Sequence, residues 1–227
     1  MHQLSSGVLS TYRRSSYRII ERSFHRQCFE TTYHLAANTK MHTAIMAVNR
    51  KIYRETSHLL YGLHGFDFSS DIEAIVPFLR DLTPNSRAII QEMTIRKDRP
   101  MYFCESDRLD WLNMCKYLQG LDKVIPKLRV IVEGGKPTNE WEGPQKLGVS
   151  DLRLLSLIKH DSMDWIAELQ KVQGLEELEI VPHIRYLPQP NTTATLLFAA
   201  FSASIDTSLV EFLRTDCQLP ATIALSA

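Results

Sequence analysis

The sequence predicts an α/β fold, an irregular leucine-rich-repeat-like layer of helices and parallel strands, capped by N-terminal helices. Three observations predict it. The pattern apolar-x-x-apolar-x-apolar occurs at Ile90/Met93/Ile95, at Ile125/Leu128/Val130 and at Leu175/Leu178/Ile180, and this is the strand signature of leucine-rich repeats. Segments of helical period separate the copies. A helix–turn–strand unit over residues 44–70 precedes them. Strand, helix, strand in this order implies right-handed crossovers and a parallel sheet.

The elements follow in order. Within 41–61, Ile45, Val48, Ile52, Leu59 and Leu60 line one stripe of a helix, with Arg50, Lys51, Arg54 and Glu55 mostly opposite. Gly62 ends it, because glycine takes a positive φ at little cost. The period then drops to two. Phe66 and Phe68 alternate with Asp67 and Ser69, as on a half-buried strand. Ser70 or Asp71 can cap a helix over 72–82 carried by Ile72, Ile75, Val76 and Leu79. Pro84 can start the next short helix. A helix over 107–119 carries Leu109, Trp111, Leu112, Cys115 and Leu118, and one over 162–172 carries Met163, Trp165, Ile166, Leu169 and Val172.

Residues 133–149 hold Gly134, Gly135, Pro137, Gly143, Pro144 and Gly148 and predict a loop inserted on one face, with Trp141 among polar neighbours. Leu187-Pro-Gln-Pro190 predicts an extended linker. Two helices fit 195–204 and 205–214. Residues 221–227 read as a loose tail. The organisation is then a basic segment over 1–40, helical or partly disordered, and a single domain over 41–220.

Within that first segment Arg14, Arg18, Arg22 and Arg26 recur every four residues, which on a helix makes one basic stripe. It reads as a solvated helix face or partly ordered tail. The alternatives are a mitochondrial transit segment and a phosphate- or nucleic-acid-binding strip. The whole chain balances 26 Lys+Arg against 26 Asp+Glu, which removes any global electrostatic argument for nucleic acid. An apolar fraction of 44% supports a substantial core. No apolar run is long enough to predict a membrane span. Cys28, Cys104, Cys115 and Cys217 are widely spaced and read as free thiols, and with no signal peptide legible the expected location is cytoplasmic or nuclear.

The segment Asn49-Arg50-Lys51-Ile52-Tyr53-Arg54-Glu55, followed by Leu60-Tyr61-Gly62 and Phe66-Asp67-Phe68, resembles a large fungal family of F-box-like proteins and associated domains of unknown function. Residues 77–95 extend the resemblance, which covers about fifty residues well and the rest only in layout. Many members of that family open with a leucine- and proline-rich F-box helix set. The resemblance implies a protein-recognition role, and for members with that opening a Skp1-like adaptor as partner.

The sequence carries few motifs of catalytic or metal chemistry. No H-x-x-x-H or H-E-x-x-H spacing, no C-x-x-C pair, no phosphate-binding glycine loop and no G-x-S-x-G elbow is present. No cofactor and no metal are expected. The acid pairs Asp107/Asp110 and Asp161/Asp164 sit near helix starts, where the helix dipole explains them. Trp111 and Trp165 read as core, and Trp141 as a binding anchor. The sequence therefore predicts a non-enzymatic protein-interaction module. Its candidate contact residues are Trp141 and the sheet-face positions Thr94, Arg129 and Glu179.

Overall fold

The computed structural model describes residues 8–19, 27–35, 43–98, 100–101, 105–121, 125–137 and 146–223. Among the described residues seven strands form one sheet: β1 (Val8–Ile19), β2 (Gln27–Leu35), β3 (Gly65–Asp67), β4 (Glu92–Lys97), β5 (Lys127–Pro137), β6 (Glu177–Leu187) and β7 (Ala221–Ile223). Their spatial order is β2-β1-β3-β4-β5-β6-β7. From β3 to β7 the spatial order follows the chain and every pair is parallel. Helix α1 (Arg50–Gly62) precedes β3. Helices α2 (Ile75–Asp81) and α3 (Pro84–Ala88) lead to β4, and α4 (Glu105–Gln119) leads to β5. Helices α5 (Val149–Leu157) and α6 (Asp164–Leu169) lead to β6, and α7 (Thr193–Ser202) and α8 (Ser208–Thr215) to β7.

The parallel α/β layer is thus the one the repeat predicts. Met93, Leu128 and Leu178 are register partners, as are Ile95, Val130 and Ile180. Phe66 joins the first row at one side and Ala221 at the other. Because side chains alternate along a strand, this row and its neighbour point to one face. There they are buried together with Leu79, Trp111, Leu118, Trp165, Leu169 and Leu213 from the helices. Trp111 meets Trp165 edge-on at 5.7 Å and donates its Nε1–H to the Trp165 carbonyl at 3.0 Å. Such an aromatic pair contributes about 1 kcal/mol beyond the area it buries.

Four expectations are corrected. Residues 8–19 and 27–35 form antiparallel strands, not a basic helix, and β1 also pairs in parallel with β3. Val8, Thr11, Tyr12, Tyr17 and Ile19, then Phe29, Thr31, Thr32 and Tyr33, are strand formers, and pairing partners outweigh the arginine spacing. Arg14 and Arg18 therefore lie on β1, opposite Thr32 and Cys28. Arg22 and Arg26 lie outside the described residues. The sheet edge expected to be capped by helices alone is extended by two strands.

Of the loop expected over 133–149, residues 133–137 belong instead to β5, which continues to Pro137 in parallel with His183–Leu187 of β6, and 138–145 lie outside the described residues. Gly134 and Gly135 serve there as close-approach positions: a Cβ on Gly135 would sit 2.6 Å from Leu187 Cγ and 2.7 Å from Phe198 Cε1. Of the tail expected over 221–227, Ala221–Ile223 form a strand, the last described rung of the sheet, and 224–227 lie outside the described residues.

The aliphatic stripe of residues 45–60 does not face the core. Ile45, Val48 and Leu59 are 52%, 64% and 55% exposed. Helix α1 instead meets the domain along Tyr53, Ser57 and Tyr61, four residues apart. Tyr53 contacts Ser86 of α3 through their hydroxyls at 3.3 Å, Ser57 is buried, and Tyr61 stacks on Phe66 at 5.9 Å. Its start is set by Asn49, whose side-chain oxygen accepts from the Lys51 and Ile52 amides at 3.0 and 2.9 Å.

Candidate functional site

The helices cover one face of the sheet, and the opposite face carries the polar positions. Thr94, Arg129 and Glu179 are register partners across β4, β5 and β6, so the structure brings the three predicted sheet-face residues into one row. Asp67 continues the row on β3 and Thr222 on β7. Arg129 Nε lies 3.4 Å from the Glu179 carboxylate, an ion-pair approach without hydrogen-bond geometry. Lys127 reaches Glu177 and Glu179, each at 3.4 Å. Burial alone would lower the lysine's pKa, but Glu179, Glu177 and Glu92 outweigh it and raise the value. Arg185 pairs with Glu133 at 3.3 Å further along. Such part-exposed pairs contribute about 0–1 kcal/mol each, so their main effect is to fix where the charges stand.

The row is not uniformly accessible. Thr94 is buried, Glu179 keeps 13% of its side chain exposed and Arg129 keeps 32%. Arg129 is the member most open to contact. Trp141 lies outside the described residues. Beyond it the chain is tied down where Leu147 N–H donates to the Ala200 carbonyl of α7 at 3.4 Å.

A second site was not singled out from the sequence. A cavity of about 300 Å³ opens at the carboxyl end of β4, lined by Ser70, Glu73, Arg96, Lys97, Asp98, Met101, Asp107, Asp110 and Trp111. Three segments build it. The β3–α2 connection contributes Ser70 and Glu73, the end of β4 contributes Arg96 and Lys97, and α4 contributes Asp107, Asp110 and Trp111. Ser69 turns the first segment with φ 50, a left-handed conformation unusual for serine. Its amide donates to Asp67 Oδ1 at 2.7 Å and its carbonyl accepts from the Arg96 amide at 2.7 Å.

Lys97 is 5% exposed. It occupies an inward position, after Met93 and Ile95 in the alternation, with Val132 as register partner. Burial lowers its pKa to about 8, against the opposing pull of Asp107 and Asp98. Burial raises Asp110 to about 6, helped by Glu73 and Asp107. Asp71 beside the site is raised too, by burial and by Asp98. The sequence signal for the site was present in Met93-Thr-Ile95-Arg-Lys97, where period two puts a lysine on the core side. Asp110 is not explained by the helix dipole alone, since α4 starts at Glu105 and Asp110 faces the cavity one turn in. Asp164, by contrast, is held by Arg108 at 3.3 Å.

The cysteines offer no nucleophile among the described side chains. Burial pushes the Cys115 and Cys217 thiols up to about 12. Among the described residues no group of three or more His, Cys, Asp or Glu is placed to hold a metal ion, and no helix is long and apolar enough to cross a membrane. Comparison with protein-family models, with curated proteins and with solved structures found no match.

Proposed function

We propose that the chain is a non-enzymatic protein-interaction module that meets its partner on the face of the parallel sheet opposite the helices of the core. The observation that carries this reading is the division of the sheet. One face is sealed under helices, while the other displays Glu92, Lys127, Arg129, Glu177 and Glu179, held in register by the strands. A rigid strand array fixes side-chain positions better than loops do. The charges are already mutually paired, so the surface suits a protein segment presenting both signs, for which placement of charge gives specificity more than affinity.

The test compares proteins captured by the parent, by Arg129→Glu and by Trp141→Ala from its native cells, with the captured proteins quantified. A partner held by the parent and lost on Arg129→Glu supports the face. A partner lost only on Trp141→Ala moves the contact to the loop. Partners retained equally by all three remove both.

A narrower version is substrate recognition for a cullin-type ubiquitin ligase, with a Skp1-like adaptor bound near residues 43–63. The half-exposed Ile45, Val48, Leu59 and Leu63 are the observation that favours it. Absence of co-elution when purified adaptor and full-length chain are mixed would remove this version.

A further inference from the structure

Helix α1 carries a row of basic side chains that no described carboxylate answers. Arg50, Arg54 and His58 stand four residues apart on it. Like charges at this spacing destabilise a helix. Among the described residues neither arginine forms an ion pair. All three basic residues line a cavity of about 590 Å³ between α1, α3 and the turn Thr43–Ala47, and no Asp or Glu lines it.

The buried side of this cavity is built of hydroxyls. Ser57 and Ser86 line it at 4% and 2% exposure. Ser86 Oγ is occupied, since Thr83 Oγ1 donates to it at 2.9 Å and the Tyr53 hydroxyl meets it at 3.3 Å. The hydroxyls of Ser86, then Thr83 and Ser57, lower the Tyr53 pKa by favouring the phenolate. Ser57 Oγ nevertheless makes no hydrogen bond to any described atom, and a buried hydroxyl left so costs stability. Arg50, Arg54 and Ser57 follow the spacing i, i+4, i+7 and therefore share one face of α1, with neighbouring Cβ atoms about 5–6 Å apart. Two unneutralised guanidiniums and one unused hydroxyl thus look onto the same cavity.

We propose that this cavity binds a phosphate monoester, with Arg50 and Arg54 neutralising the dianion and Ser57 Oγ donating to one of its oxygens. Guanidinium forks match phosphate geometry, and a group of nearly two negative charges uses both arginines where a carboxylate needs one. Met46, Ala47 and Ile89 line the remainder of the cavity, so it suits an ester with an organic part over inorganic phosphate. The ester comes from a small compound or from a phosphorylated side chain of a partner, and the test separates the two. None of the lining residues belongs to the sheet, so this site stands or falls apart from the partner face proposed above.

The test titrates the full-length chain with phenyl phosphate, with benzoate and with a short phosphoserine peptide, followed by calorimetry. Phenyl phosphate is expected to saturate one site, and benzoate to bind at least about tenfold more weakly. Arg50→Gln and Arg54→Gln should each weaken phenyl phosphate about tenfold. Ser57→Ala should weaken it about fivefold to tenfold while the thermal midpoint of the free chain stays level or rises, because the lost hydroxyl has no protein partner. A peptide bound more than about tenfold tighter than phenyl phosphate assigns the ester to a partner chain, and a peptide bound equally or more weakly assigns it to a small compound.

No saturable binding at millimolar phenyl phosphate, benzoate bound as tightly, or unchanged affinity in both arginine variants would overturn the proposal and leave a solvated basic face. A Ser57→Ala chain that loses thermal stability and keeps its affinity would overturn the role of the serine. If that variant does not fold, the two arginine variants, altered at exposed positions, decide alone.

Discussion

Replacing Lys97 by methionine should stabilise the chain at neutral pH, and the gain should vanish as pH rises. Methionine keeps the length of the side chain and removes the ammonium. Burial lowers Lys97 from 10.5 to about 8 in the folded chain, so folding disfavours its charged form. Between these values the unfolded chain binds a proton that the folded chain does not, and stability therefore rises with pH across that window. Below about pH 8 the penalty is present in full, and the separation corresponds to about 3 kcal/mol. Urea unfolding followed by the fluorescence of the buried tryptophans measures it from about pH 7 to about pH 10.5. The difference between variant and parent should be largest at pH 7 and 8 and fall by about 3 kcal/mol towards pH 10.5. A variant less stable than the parent at pH 7, or a difference that stays constant from pH 8 to 10.5, would refute the reasoning. Either would mean that burial does not govern the charge of this side chain.

Three further outcomes are expected. Asp110→Asn should remove a pH dependence of the opposite sign: with the folded value raised from 3.8 to about 6, parent stability falls as pH rises through that window, and urea midpoints at pH 4 and 7 would show the fall lost in the variant. Gly135→Ala should cost about 1–3 kcal/mol, because the new Cβ meets Leu187 and Phe198 where α7 closes on β5, and an unchanged thermal midpoint would show that α7 yields freely. Cys115 and Cys217, buried and titrating at about 12, should resist alkylation at pH 8 until the chain unfolds, and mass mapping of iodoacetamide adducts with and without urea checks this.

Much of the parallel layer is legible in the sequence because its signal is local. The three apolar-x-x-apolar-x-apolar copies align residue for residue in the sheet, since a period of two fixes which side of a strand faces the helices and any slip would turn it outward. The same alternation places Thr94, Arg129 and Glu179 in one row on the other face. It does not reveal that Thr94 is buried while Arg129 stays open, because exposure depends on neighbouring strands and connections.

The spacing of the aliphatic residues in 45–60 and of the arginines in 14–26 misleads for a physical reason. Spacing states which residues would share a face of a helix. It does not state which face will be buried or whether a strand partner is available. Helix α1 docks by Tyr53, Ser57 and Tyr61 because α3 and Phe66 are what it meets. Residues 8–19 become β1 because the edge of β3 and the antiparallel β2 supply its hydrogen bonds.

By itself, then, the sequence determined the repeat, its inward residues and the composition of both sheet faces, all properties of side-chain period along one segment. Tertiary structure alone decided the strand pairing of the N-terminal segment and the gathering of charged side chains at the end of β4. Lys97, Glu73, Asp107 and Asp110 come from three separate segments, and no period links them. They share a cavity only because parallel strands bring successive connections to the same edge of the sheet, where burial then shifts the charges they carry.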